Sequence, residues 1–236
     1  LYALACDAFN AQLDLFLRLG HAGGQSLQPL ITFDDGHRSD YEYALPALAD
    51  RRIVASFFIT AGWTGREPGY MDWQQLRSLD QAGQRIGAHG WSHTLLTHCT
   101  PTELDRELGD ARRILEDKLG CPVTSMSLPG GRYNRRVLAA CQAAGYTEIY
   151  TSIPRAEPSH SSLLIGRVNV RAGMSLAELE ALLDRNGTAL PQVGRRYRVK
   201  QAARALLGDQ IYARLWARLN RRGPAEQAGP DGFGAA

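Results

Sequence analysis

The 236-residue sequence has no apolar run near the roughly 18 residues of a membrane span, no C-x-x-C pair, no G-x-G-x-x-G and no Walker loop. Each absence removes a class of protein. No stretch reads as a helix crossing a bilayer. Without a glycine-rich phosphate loop after a strand, nucleotide binding has no support, and no nucleic-acid partner is expected. The four cysteines (Cys6, Cys99, Cys121 and Cys141) are scattered, so free thiols and a reducing compartment are the reading, not a disulfide framework. Internal repeats are missing too. The chain opens on Leu1 instead of Met, which leaves a removed signal peptide open.

What is present is ordinary in bulk: 44% hydrophobic and 22% charged residues, in a length suited to one large α/β domain. The net charge of +3 hides an asymmetry. Residues 195–222 hold nine Arg and Lys against the single acid Asp209. Attraction to anionic partners therefore belongs to that segment.

Along the chain, short apolar strands alternate with amphipathic helices. Strands are expected at Pro29–Phe33, Ile53–Thr60, Gln84–Ala88, Val123–Leu128, Tyr146–Ser152 and Leu163–Val170. Helices are expected at Asp40–Arg51, Asp72–Gln81, Thr100–Gly120, Arg135–Ala144 and Ser175–Asp184. The run Ile53–Thr60 is a continuous stretch of apolar, β-branched and aromatic residues around Ser56, as in a strand buried on both faces. Thr100 with Glu103 and Ser175 with Glu178 have the spacing of capping boxes. Such alternation implies parallel strands with helices outside, as an open doubly wound sheet or a closed barrel. Six strands follow residue 28, and a stretch preceding Leu1 is the candidate source of a seventh.

Three strand ends carry chemistry. The first strand runs into Asp34-Asp35-Gly36-His37, where adjacent carboxylates are costly unless paired with a cation. An ordinary solvated Asp-Asp-Gly turn is the competing reading. The third strand runs into His89-Gly90-Trp91-Ser92-His93, two imidazoles four residues apart, able to reach one metal from a helical turn. No acid lies between them, so Asp34 and Asp35 are the natural source of both a further ligand and a base. The fourth strand ends in Ser127-Leu128-Pro129-Gly130-Gly131-Arg132-Tyr133, whose glycines suit oxyanion stabilisation or a plain strand-to-helix turn.

With these residues in order, the sequence resembles the polysaccharide deacetylases, the NodB-like enzymes of carbohydrate esterase family 4, over roughly residues 28–170. The resemblance implies a distorted (β/α) barrel of about seven parallel strands. It also implies removal of N-acetyl groups from an acetylated sugar, oligosaccharide or lipid-linked glycan. By the same resemblance Asp34 is the catalytic base, and Asp35, His89 and His93 hold a divalent metal ion. Gly130 offers an oxyanion-stabilising N–H, and Pro129, Gly131, Arg132 and Tyr133 line the substrate. A two-His, one-Asp set with an open position suits zinc, though other first-row divalent ions fit it.

The family's pattern is not matched throughout. Its third motif carries an arginine where this chain has Ser127; Arg132 and Arg167 are candidate replacements. Its Asp-Trp element is absent from residues 151–155, and no histidine follows His160 to supply the late general acid. His37 and Tyr133 are candidates for extra hydrogen bonds, and His160 for a displaced acid. His98 reads as a surface residue. Trp63, Tyr70 and Trp73 read either as a sugar groove or as packing. Hydrolysis of a non-sugar amide or O-acetyl ester, and non-catalytic sugar binding, remain alternatives.

The expected organisation is a deacetylase domain over residues 1–194, a basic helical extension over 195–222 and a disordered tail over 223–236. In the extension, Val199, Ala203, Leu206 and Leu207 form one apolar stripe and Ile211, Leu215 and Leu219 another. Packing on the barrel and peripheral contact with an anionic membrane are both open readings.

Overall fold

The computed structural model describes residues 5–22, 30–156, 163–184 and 186–207. These fall into two compact units. One holds residues 6–22, 30–152 and 163–166; the other holds residue 5, 153–156, 167–184 and 186–207.

The first unit is built on one six-stranded parallel sheet: β1 (Thr32–Phe33), β2 (Ser56–Ile59), β3 (Arg85–Ala88), β4 (Ser125–Ser127), β5 (Glu148–Tyr150) and β6 (Leu164–Ile165). The strands lie side by side in sequence order, each parallel to the next. A doubly wound sheet would reverse its order at a switch point. Here the winding never reverses, so the sheet curls the one way a (β/α) barrel does. The six expected strands all form, each trimmed at its ends, although ladder contacts such as Ser56 N–H to Ile31 O (3.0 Å) and Arg85 N–H to Ala55 O (3.0 Å) continue beyond them.

Ahead of the sheet the described chain forms a helix, Cys6–Ala22, and six strands make up the sheet among the described residues. Phe9, Leu13 and Leu17 recur at helical spacing. Leu13 and Leu15 are buried, and Phe9 meets Phe33 of β1 edge-on at 6.0 Å.

Strand β2 is buried at all four positions, which explains the apolar run Phe57–Ile59. Phe57 stacks on Phe33 with ring centroids 4.7 Å apart, and full burial of such a ring contributes about 1.5–3 kcal/mol. Gly87 in β3 makes room for the neighbouring strands, because a Cβ there would come within 2.5 Å of the Phe58 ring. Both capping boxes form, and Asp72 makes a third with Gln75. Two expected helices are irregular. Asp40–Ala44 is a π-helical turn leading into Leu45–Asp50, and Asp105–Asp110 is another between Pro101–Leu104 and Ala111–Leu119.

In the second unit, helices Leu176–Leu183 and Ala189–Leu207 contact one another. The latter runs continuously across residue 194. Val199 is 64% exposed, so at that position the stripe is not core. The stripe from Ile211, the tail and His160 lie outside the described residues. No helix among the described residues is long and apolar enough to cross a membrane.

Candidate metal centre

Parallel strands present their following loops at one end of the sheet. Thr60 N–H donates to Asp35 O (3.2 Å) and His89 N–H to Ile59 O (2.8 Å), tying the loops after β1 and β3 to the end of β2. Within this frame Asp35, His89 and His93 bring one ligand atom each to within 4.8 Å of one another. Asp35 and His93 sit in the left-handed backbone region (φ 73° and 59°), costly for residues with a Cβ and concentrated at functional sites. Asp34 is not among the three converging groups.

The chemistry of the set fits a divalent cation. His89 is buried and its Nδ1 lies 2.8 Å from Ser127 O. A carbonyl only accepts, so Nδ1 carries the proton and a neutral ring turns its Nε2 lone pair inward. That Nε2 is 3.2 Å from Asp35 Oδ1, and His93 Nε2 is 3.4 Å from the same oxygen. Asp35 Oδ1 is buried with no hydrogen-bond partner. Lone pairs facing an orphaned carboxylate oxygen repel unless a cation sits between them. Ligands about 2.1 Å from a tetrahedral ion stand about 3.4 Å apart, which is this spacing.

The electrostatics agree. Burial alone would raise Asp35, but the adjacent His37 and His89 imidazoles hold it well below the usual carboxylate range. Burial depresses His89, yet the Asp34 and Asp35 charges outweigh it and leave the group raised. Burial and the nearby His89 lower His93. A proton taken up at His89 Nε2 would occupy the place a metal would take. We expect metal uptake to release a proton below the raised His89 pKa, and affinity to tighten as pH rises towards it, then level off. Titration calorimetry in buffers of differing ionisation enthalpy reads this directly; no proton release at acidic pH would contradict it.

The other sequence candidates fall into place unevenly. In Pro129–Gly131, Gly130 and Gly131 have φ of 67° and 64°. Gly131 spends its N–H on Leu128 O (2.7 Å), so it is not open to a ligand as the sequence suggested. Pro129 and Gly131 are buried and serve as packing of the turn, while Gly130, Arg132 and Tyr133 are half-buried. Ser127 is fully buried and contributes its backbone carbonyl to His89. Arg167 belongs to the other unit. His98 is exposed, and Trp73 packs on the core. Trp63 and Tyr70 do border the cluster: Trp63 stacks on His93 (5.6 Å) and touches Tyr70 (4.7 Å), which stacks on His37 (4.7 Å). His37 Nε2 lies 3.5 Å from Asp35 Oδ2. Sequence reasoning missed Asp40, whose carboxyl burial pushes up to about 7, and Glu107, buried beside the His89–His93 loop.

The polysaccharide deacetylase family model matches residues 28–149, just over half of the sequence. The chain belongs to the polysaccharide deacetylase family. This family is metal-dependent, and Asp35, His89 and His93 are the candidate group for the ion. The Bacillus subtilis protein YxkH is 30% identical over 156 residues, 66% of this chain and 56% of that protein. A chitooligosaccharide deacetylase of Sinorhizobium fredii is 25% identical over 146 residues, 60% of this chain and 65% of the relative. The chain thus spans less than two thirds of either protein. The Streptococcus pyogenes deacetylase PplD, solved with acetate, superposes with a TM-score of 0.65 at 21% identity, over 75% of this chain and 85% of its own. That likeness carries the fold, and with it the expected distorted (β/α) barrel.

Proposed function

We propose that this chain is a metal-dependent hydrolase that removes N-acetyl groups from an N-acetylated sugar, with zinc held by Asp35, His89 and His93. The observation that carries the reading is the convergence of Asp35 Oδ1 with two imidazole nitrogens at 3.2 and 3.4 Å, next in sequence to a second carboxylate, Asp34. The family supports the reaction class. The name of the rhizobial relative supports a chito-oligosaccharide type of substrate.

When bound, a divalent ion lowers the pKa of a water from 15.7 to about 7 and polarises the acetyl carbonyl. The chain's own residues do the rest. Asp34 takes the water's proton as the oxygen attacks the carbonyl carbon. The Gly130 N–H donates to the oxygen that becomes negative in the tetrahedral intermediate. Cleavage of the C–N bond leaves acetate and a free amine, and the proton collected by Asp34 balances the one that the amine requires. Ser127 O keeps His89 in the tautomer that points Nε2 inward. Trp63 and Tyr70 offer ring faces to a sugar, and Arg132 and Tyr133 offer polar contacts. The basic residues 195–222 extend the proposal to an anionic partner, a lipid-linked glycan at a membrane surface.

Zinc binding followed by turnover tests the assignment. The purified protein should bind about one zinc per chain and release acetate from acetylated chito-oligosaccharides, and His89→Ala should abolish both. Full zinc occupancy in His89→Ala would defeat the proposed ligand set. Zinc binding without acetate release from sugars, esters or small amides would favour a non-catalytic binder.

A further inference from the structure

The segment between His89 and His93 must hold two imidazoles on one point, and its backbone is gripped from two sides. On one side Ala61 N–H donates to Gly90 O (3.0 Å) and Gly62 N–H to Trp91 O (2.8 Å). On the other lies Glu107, 5% exposed. Its Oε2 accepts from Trp91 N–H (2.9 Å) and Ser92 N–H (3.0 Å), and its Oε1 accepts from Ser92 Oγ (2.6 Å). Two successive N–H groups aimed at one oxygen wrap the backbone around it, and charge-assisted bonds of this kind are about twice as strong as neutral ones.

We propose that Glu107 is a positioning residue for the metal ligands: its carboxylate clamps the turn of residues 90–92 so that His89 and His93 face the same ion. This rests on the metal reading above. Three features of the chain serve the clamp. Gly90 has φ 83°, which favours glycine, and a Cβ there would lie 3.0 Å from Glu107 Oε2, so glycine leaves the carboxylate room to come this close. The left-handed His93 (φ 59°) comes directly after the clamped residues, and its strain needs an external hold. Glu107 itself sits in the π-helical turn Asp105–Asp110. One extra residue in a turn rotates the remainder of the helix by about 100° relative to a regular one, and such bulges gather at functional sites. The turn is pinned from behind by Tyr146, whose buried hydroxyl donates to Leu108 O at 2.9 Å.

Zinc affinity, measured by competition with a chromophoric chelator well below the melting temperature, separates this role from a general prop. Glu107→Ala should raise the zinc Kd about 10–100-fold, the range for losing a partner that orients a ligand. Glu107→Gln keeps an acceptor but not the charge, and should raise it by a smaller factor. In both, kcat at saturating zinc should recover to within about threefold of the parent, since the clamp touches neither substrate nor reacting atoms. A prop for the fold alone would lower Tm and leave the Kd of the folded protein unchanged. If both variants bind zinc as tightly as the parent, the inference is wrong. Should Glu107→Ala not fold, Glu107→Gln decides on the same criterion. The parent is the control for the underlying reading: if it binds no zinc, or His93→Ala binds as tightly, the metal assignment itself falls, and the clamp with it.

Discussion

Asp34→Asn is expected to keep its zinc and lose turnover by about 10²–10⁴-fold, the usual cost of removing a general base. The amide has the shape of the carboxylate but cannot take a proton at neutral pH. Zinc should stay because Asp34 stands outside the group of converging atoms. The measurement is acetate release from acetylated chito-oligosaccharides, paired with zinc content on the same sample. Zinc lost together with activity would mean that the two acids have exchanged roles.

Gly62→Ala should be the most damaging single methyl in the site. A Cβ at residue 62 would stand 2.4 Å from Trp91 O and 2.8 Å from Trp91 Nε1. The first is backbone and cannot step aside, so the loops after β2 and β3 must separate. Overpacking of this kind costs about 1–3 kcal/mol, and the Gly62 N–H to Trp91 O hydrogen bond adds about 1 kcal/mol when lost. For a chain of this size that corresponds to a fall in Tm on the order of 5–10 °C. An unchanged melting curve would show that the loops move apart freely and that the two-sided grip is not rigid.

The strand ends are legible in the sequence because local composition and chemistry coincide there. Ile53–Thr60 is apolar and β-branched right up to its loop, and Asp34-Asp35 and His89-x-x-x-His93 come after their strands without a spacer. Capping boxes are legible for the same reason, since Thr100 and Glu103 need only their own turn to meet. The features that escape a reading of the sequence depend on partners far along the chain. Glu107 reads as one acid among several on a helix face until its fifteen-residue reach back to Ser92 is seen, and nothing local announces a π turn. Trp63 reads equally as groove or packing, because its stacking on His93 is set by the fold. Gly131 looks like a free N–H donor; its use within the turn is a matter of one dihedral angle. Helix Cys6–Ala22 carries a recognisable apolar spacing in Phe9, Leu13 and Leu17, which a reading of elements from Pro29 onward passes over.

The in-order sheet has a consequence for how the protein is made. Asp35 leaves β1, His89 and His93 come after β3, and the carbonyl that orients His89 comes from Ser127 in β4. Parallel neighbours cannot pair as local hairpins; each waits for an intervening helical crossover to be synthesised and folded back. Asp35 and the His89–His93 loop come together once β1, β2 and β3 have paired, and the Ser127 carbonyl that orients His89 joins them with β4. A metal ion held by this group would therefore find its ligands fully oriented only when the first four strands have come together.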